Sequence, residues 1–131
     1  MSEFLQGLFR ADFLPHGWCY RWAPEIVWLH VTADLLIALA YYFIPFALIH
    51  ILRRRGDLVY PWMFWLFGTF ILACGTTHLM NVLVVWQPWY RLDGIIKMLT
   101  AIASVPTAIL LIRIAPAVIA LPSPAQLRSI N

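Results

Sequence analysis

The sequence predicts an all-α membrane protein with three transmembrane helices and a short interfacial helix ahead of them. Mean hydropathy of +0.80, 63% hydrophobic residues and only 11% charged residues lie far outside the range of water-soluble domains. Three apolar stretches each exceed the roughly 20 residues that cross a bilayer. None shows the charged face that a greasy soluble bundle would turn to water.

The elements follow in order. Residues 1–23 form an interfacial segment in which Phe4, Leu5, Leu8, Phe9 and Phe13 make a stripe at helical spacing. This opening lacks the basic start, continuous apolar core and small-residue cleavage site of a signal peptide. The first span is expected over 24–52, the second over 61–86 and the third over 92–121. Arg53-Arg54-Arg55, the dense cationic cluster, lies in the loop after the first span, which the positive-inside rule places in the cytoplasm. The N-terminus is then outside and the C-terminus cytoplasmic. Trp18, Tyr20, Trp22, Trp86, Trp89 and Tyr90 form an outer aromatic belt, and Tyr60, Trp62 and Trp65 an inner one. Pro45 and Pro106 fall inside spans, where neighbouring helices can satisfy the freed carbonyls and a kink can open a cavity. Residues 122–131 read as a Pro/Ser linker that begins something else, and no internal repeat or second domain is visible.

Polar residues within the spans are the candidates for function, because lipid-buried polar groups are costly. Asp34, Ala38, Tyr41 and Pro45 share one face of the first span, with His30 one turn away. Ile71, Cys74, His78 and Asn81 share a face of the second, and Lys97, Ala101, Ser104 and Ala108 a face of the third. At about 1.5 Å rise per residue, Asp34 and His78 come out at related depths, with Lys97 nearer the outer surface. Each group also has a plainer reading. Asp34 and Lys97 are expected to form an ion pair. His30 is a partner for Asp34, an interfacial residue or a ligand. His50 and Arg113 snorkel to headgroups, and Ala101, Ser104 and Ala108 form a close-packing surface.

Cys74-Gly-Thr-Thr-His78 is the exception. It sets a thiol and an imidazole one turn apart on one helix face, which points to a soft metal. Zinc prefers four ligands and would leave net charge in a low-dielectric site. Copper(I) cancels one thiolate, suits sulfur and accepts low coordination. Low-coordinate copper(I) in an apolar pocket can donate into the π* orbital of an alkene, although carbon monoxide satisfies the same chemistry. No catalytic constellation accompanies the pair, so an enzyme is not expected.

The chain resembles the transmembrane ethylene-binding domain of plant ethylene receptors and their bacterial relatives. The matching segments are Asp34-Leu-Leu-Ile-Ala-Leu-Ala-Tyr41-Tyr-Phe-Ile44-Pro45, Phe67-Gly-Thr-Phe-Ile71-Leu-Ala-Cys74-Gly-Thr-Thr-His78-Leu-Met-Asn81 and Lys97-Met-Leu-Thr-Ala, one in each span. The resemblance implies that Cys74 and His78 ligate copper(I), and that Asp34, Tyr41, Ile44, Pro45, Ile71 and Lys97 serve ligand binding or signalling. It further implies a sensor domain over 24–121, a homodimer in a lipid bilayer, and a cytoplasmic histidine kinase or other output domain in cis or in trans. Nucleic acid is not an expected partner. Plant members carry a pair of cysteines near the start, whereas this chain has Cys19 alone there, which argues against a covalent dimer and for a bacterial inner membrane. The alternative functions are a membrane copper-binding or redox sensor in which the metal is the signal, and a passive anchor.

Overall fold

The computed structural model describes residues 2–130; Met1 and Asn131, the outer ends of the first and last expected segments, lie outside them. The described residues are helical and turn structure without strands. Helix α1 covers Ser2–Gln6, a 3₁₀ turn covers His16–Trp18, and the long helices are α2 (Pro24–Arg54), α3 (Pro61–Trp86) and α4 (Tyr90–Ile119), followed by α5 (Pro124–Ile130).

Proline sets several of these boundaries. Pro24 and Pro61 occupy the first turns of α2 and α3, where the missing N–H costs nothing and the fixed φ favours entry. Pro88 pushes Gln87 into extended backbone (φ −112°, ψ 114°) and so ends α3. Inside the helices, Pro45, Pro106 and Pro116 are carried through without a break. Ser123 and Gln126 start α5 with reciprocal side-chain to backbone hydrogen bonds of 3.1 and 2.7 Å.

Three helices are long and apolar enough to cross a membrane. At 31 residues α2 is about 46 Å long, beyond the roughly 30 Å of a hydrocarbon core. Large apolar side chains lie open along all three, among them Leu36, Phe46, Leu72 and Ile112. Such a surface suits acyl chains and would associate in water.

Helix α3 is central. It packs along both α2 and α4, which scarcely touch each other. Helices α2 and α3 come close at Gly75, where a Cβ would lie 3.0 Å from Tyr41 Cβ and 3.5 Å from the Ala38 carbonyl. Only a residue without a side chain lets the two backbones come so close. The best-buried apolar cluster, Val27, Val31 and Val85 with Tyr20, Trp22 and Val82 around it, lies at the end of the bundle away from the arginine loop.

Two expectations change here. The stripe from Phe4 to Phe13 is not one helix, because α1 stops at Gln6. Residues 7–14 instead strap across the α3–α4 turn. Arg91 donates to the Gly7 carbonyl at 3.1 Å and grips Asp12 at 2.9 and 3.1 Å, and its guanidinium lies 4.8 Å from the Phe13 ring. Tyr90 donates to the Leu14 carbonyl at 2.8 Å, and Phe9 packs edge-on to Trp89. The second change concerns α4. Ala101 and Ala108 are exposed, whereas Thr100 and Thr107 are buried and Ala103 and Ser104 half-buried. The Thr100 hydroxyl bonds the Ile96 carbonyl at 2.8 Å and lies 3.4 Å from the Ala73 carbonyl of α3.

Candidate metal and ligand site

Cys74 and His78 lie one turn apart on α3, half-buried, with Gly75 between them pressed against α2. His78 Nδ1 is hydrogen-bonded to Asp34 Oδ1 of α2 at 2.7 Å, and the two side chains are only 29% and 18% exposed. A carboxylate accepts, so this contact places a ring proton on Nδ1, and in the neutral imidazole Nε2 then carries the free lone pair. Tyr41 sets its ring edge-on to His78 with centroids 6.0 Å apart. Thr77 donates to the Cys74 carbonyl at 2.6 Å, which leaves the thiol as the open group of Cys74. One turn of α3 therefore offers a soft sulfur and a nitrogen whose tautomer is fixed from outside the pair.

On this same turn, Tyr42 and Thr76 link α2 and α3. Thr76 spends its hydroxyl proton on the Leu72 carbonyl at 2.9 Å, so Tyr42 donates to Thr76 Oγ1, also at 2.9 Å. Ile44 and Ile71 come together further along the same helices. With Leu48, Met63, Phe64 and Phe67 they line an apolar cavity of about 300 Å³. Pro45 is buried but faces elsewhere. It borders a cavity of about 160 Å³ beside Gly68, whose added Cβ would be 3.9 Å from Pro45 Cβ.

Lys97 does not pair with Asp34. It donates to Asp93 Oδ2 at 2.7 Å, one turn back on α4, while Asp34 is taken by His78. His30 is not hydrogen-bonded to Asp34 either; its ring stacks on Tyr20 at 4.9 Å and 16°. Even so, Asp34, Lys97, Asp93, His30 and Asn81 all border one polar cavity of about 300 Å³, roofed by His16 and Tyr20. Burial and the charge of Asp34 push the Tyr20 hydroxyl pKa up.

Sequence reasoning missed Asp93 as Lys97's partner, although the four-residue spacing on one helix was its signal. It also missed Gly75, between the two candidate ligands, and the Tyr42–Thr76 bond. Nothing local marked the Arg91 grip on residues 7–14.

Among the described residues no three His, Cys, Asp or Glu side chains converge as a metal-binding group. The chain by itself thus offers a two-donor pair rather than a closed four-ligand cage. Against known families, residues 25–121 match the one described as Ethylene receptor 1-like, N-terminal domain. That range contains all three long apolar helices except for Pro24, together with Asp34, Tyr41, Cys74, His78 and Lys97. No solved structure matches the chain.

Proposed function

The chain belongs to the family of ethylene receptor 1-like N-terminal domains, and on that footing we propose that it is a non-enzymatic membrane sensor that binds ethylene through copper(I). Cys74 Sγ and His78 Nε2 would hold the metal. The observation that carries this reading is the 2.7 Å contact from Asp34 to His78 Nδ1. Metal-bound imidazoles characteristically give their other ring proton to a carboxylate or carbonyl, which fixes tautomer and orientation. When bound, copper(I) supplies filled d orbitals that donate into the π* orbital of an alkene.

The chain's own residues do the rest. Asp34 orients the imidazole from α2, and Tyr41 walls it. Gly75 keeps α2 close enough for the carboxylate to reach. The lipid-facing apolar surface favours a small neutral hydrocarbon over water and anions. Ile44 and Ile71, in the apolar cavity further along α2 and α3, offer such a molecule a place on its way. Ligand state passes to α4 through the Thr100–Ala73 contact, one residue from Cys74, and then along α4 and α5 to a cytoplasmic output in cis or in trans, such as a histidine kinase. The arginine loop lies in the cytoplasm, the N-terminus outside, and two copies work together in a bacterial inner membrane.

Copper analysis of purified wild-type, Cys74→Ser and His78→Ala proteins tests the ligand assignment, which fails if both variants retain wild-type copper. Saturable uptake of radiolabelled ethylene by the copper-loaded protein tests the ligand. A copper-replete protein without such uptake would instead be a sensor of the metal itself.

A further inference from the structure

The polar cavity at the end of the bundle away from Arg53–Arg55 is built around an unsatisfied group. Asp93 is buried, with its side chain 8% exposed, and lines the cavity; Oδ2 bonds Lys97 at 2.7 Å, and the buried Oδ1 has no hydrogen-bond partner. A buried carboxylate oxygen in this state calls for a donor or a cation. Two carboxylates, Asp34 and Asp93, face a single ammonium, Lys97, so with neutral imidazoles the cavity carries one net negative charge. A monovalent cation would neutralise it.

The imidazoles are arranged in series. His16 meets the edge of Tyr20 with centroids 4.9 Å apart, and Tyr20 stacks on His30. His30 lies one turn before Asp34 on α2, and Asp34 holds His78. Nitrogen donors and carboxylates therefore run from the N-terminal segment to Asp34, the carboxylate that holds His78. A charged ion entering sideways from the hydrocarbon would meet a steep penalty. Through the cavity it meets polar groups at each stage.

We propose that this cavity is the loading route for cuprous ion, with His16 and His30 as transient ligands and the Asp93 and Asp34 carboxylates holding the cation in place electrostatically. The proposal rests on the copper reading above. Loading is ligand exchange without change of oxidation state. Among the described residues no three metal-binding side chains converge in the cavity, which suits passage rather than retention. Imidazole is a better match than carboxylate for this soft ion, so the histidines make the contacts and the carboxylates supply the field.

The test uses the full chain, metal-free, in lipid nanodiscs, offered copper(I) as its coloured bicinchoninate complex. Loss of colour gives the transfer rate, and elemental analysis gives the final copper content. The double variants His16→Ala/His30→Ala and His16→Gln/His30→Gln should load about tenfold more slowly, equivalent to losing one interaction of about 1.4 kcal/mol at the barrier. They should reach the wild-type final content. Asp93→Asn, which keeps shape and removes charge, should also slow loading with the end point unchanged. Wild-type rates in both histidine pairs would overturn the route, as would a reduced final content, which would move the imidazoles into the resting site. A wild-type chain that takes up no copper, or a Cys74→Ser protein that loads normally, would instead sink the copper reading on which the route depends.

Discussion

Replacing Asp34 by Asn tests the arrangement most directly, because the side chain keeps its shape and loses its charge. In the native protein Nδ1 of His78 donates to a carboxylate oxygen at 2.7 Å, within the short range of charge-assisted hydrogen bonds. An asparagine oxygen can still accept, more weakly. Its amide nitrogen, if turned toward the ring, would force the proton onto Nε2 and remove the metal-binding lone pair. Loss of an outer partner of this kind lowers metal affinity by roughly 10–100-fold. Asp34→Asn should fall at the lower end, about tenfold or ~1.4 kcal/mol. Asp34→Ala, which leaves Nδ1 without any acceptor, should approach a hundredfold. Copper(I) affinity is read by competition against a chromogenic chelator at fixed pH, with Cys74→Ser as the reference for a lost ligand. Helical content by circular dichroism establishes that each variant is folded. Wild-type affinity in a folded Asp34→Ala protein would show that the carboxylate does not position the imidazole.

Gly75→Ala inserts a methyl 3.0 Å from Tyr41 Cβ, so α2 and α3 must separate by a few tenths of an ångström. Overpacking of this kind costs about 1–3 kcal/mol, and thermal unfolding in detergent should register the loss together with weakened copper binding. Lys97→Met strands the buried Asp93 carboxylate and should destabilise the protein, whereas adding Asp93→Asn should restore most of the loss; a double-mutant cycle on unfolding midpoints checks the coupling. Tyr42→Phe removes one α2–α3 hydrogen bond and should cost only about 0.6 kcal/mol, the usual worth of such bonds between membrane helices. Asp12 is held below its ordinary pKa of 3.8 chiefly by its hydrogen bonds from Arg91. Its anchoring of the strap should therefore be complete from neutral pH down to that value, and fade only as pH falls through the lowered pKa. Hydrogen exchange across residues 7–14 should rise in that acid range, and at neutral pH in Asp12→Asn.

The spans were legible because bilayer length and hydropathy leave few alternatives. The second span was expected over 61–86 and is Pro61–Trp86, while the first begins at Pro24 as expected and runs two residues further, to Arg54. Where the outcome depended on a distant group, the pattern misled. The apolar stripe from Phe4 to Phe13 has helical spacing, but Arg91 takes the Gly7 carbonyl and Asp12, and α1 stops short. On α4, small residues lie on more than one face, so small size could not tell that, of the expected Ala101, Ser104 and Ala108, Ser104 alone is half-buried, beside Ala103. The hydroxyls of Thr100 and Thr107 occupy the buried side instead.

The same division runs through the candidate site. The Cys74–His78 spacing is a property of one helical turn and could be read without knowing what lies beside it. The expected partner of Lys97 was Asp34 on another span, although Lys97 was placed nearer the outer surface than Asp34. Asp93 won because it sits one turn away on the same helix, where pairing needs no alignment of separate elements. That frees Asp34, whose position against His78 depends on how closely α2 crosses α3. The crossing depends in turn on Gly75, which lies between the two candidate ligands and leaves no room for a side chain against Tyr41 and Ala38 of α2. Packing between α2 and α3 and the hydrogen bond that orients the imidazole share this contact, and by linkage a ligand that shifts one is expected to shift the other. On the proposed function, the helix contact and the ligand geometry would be one structural variable, and a change at the imidazole would be a change in helix packing.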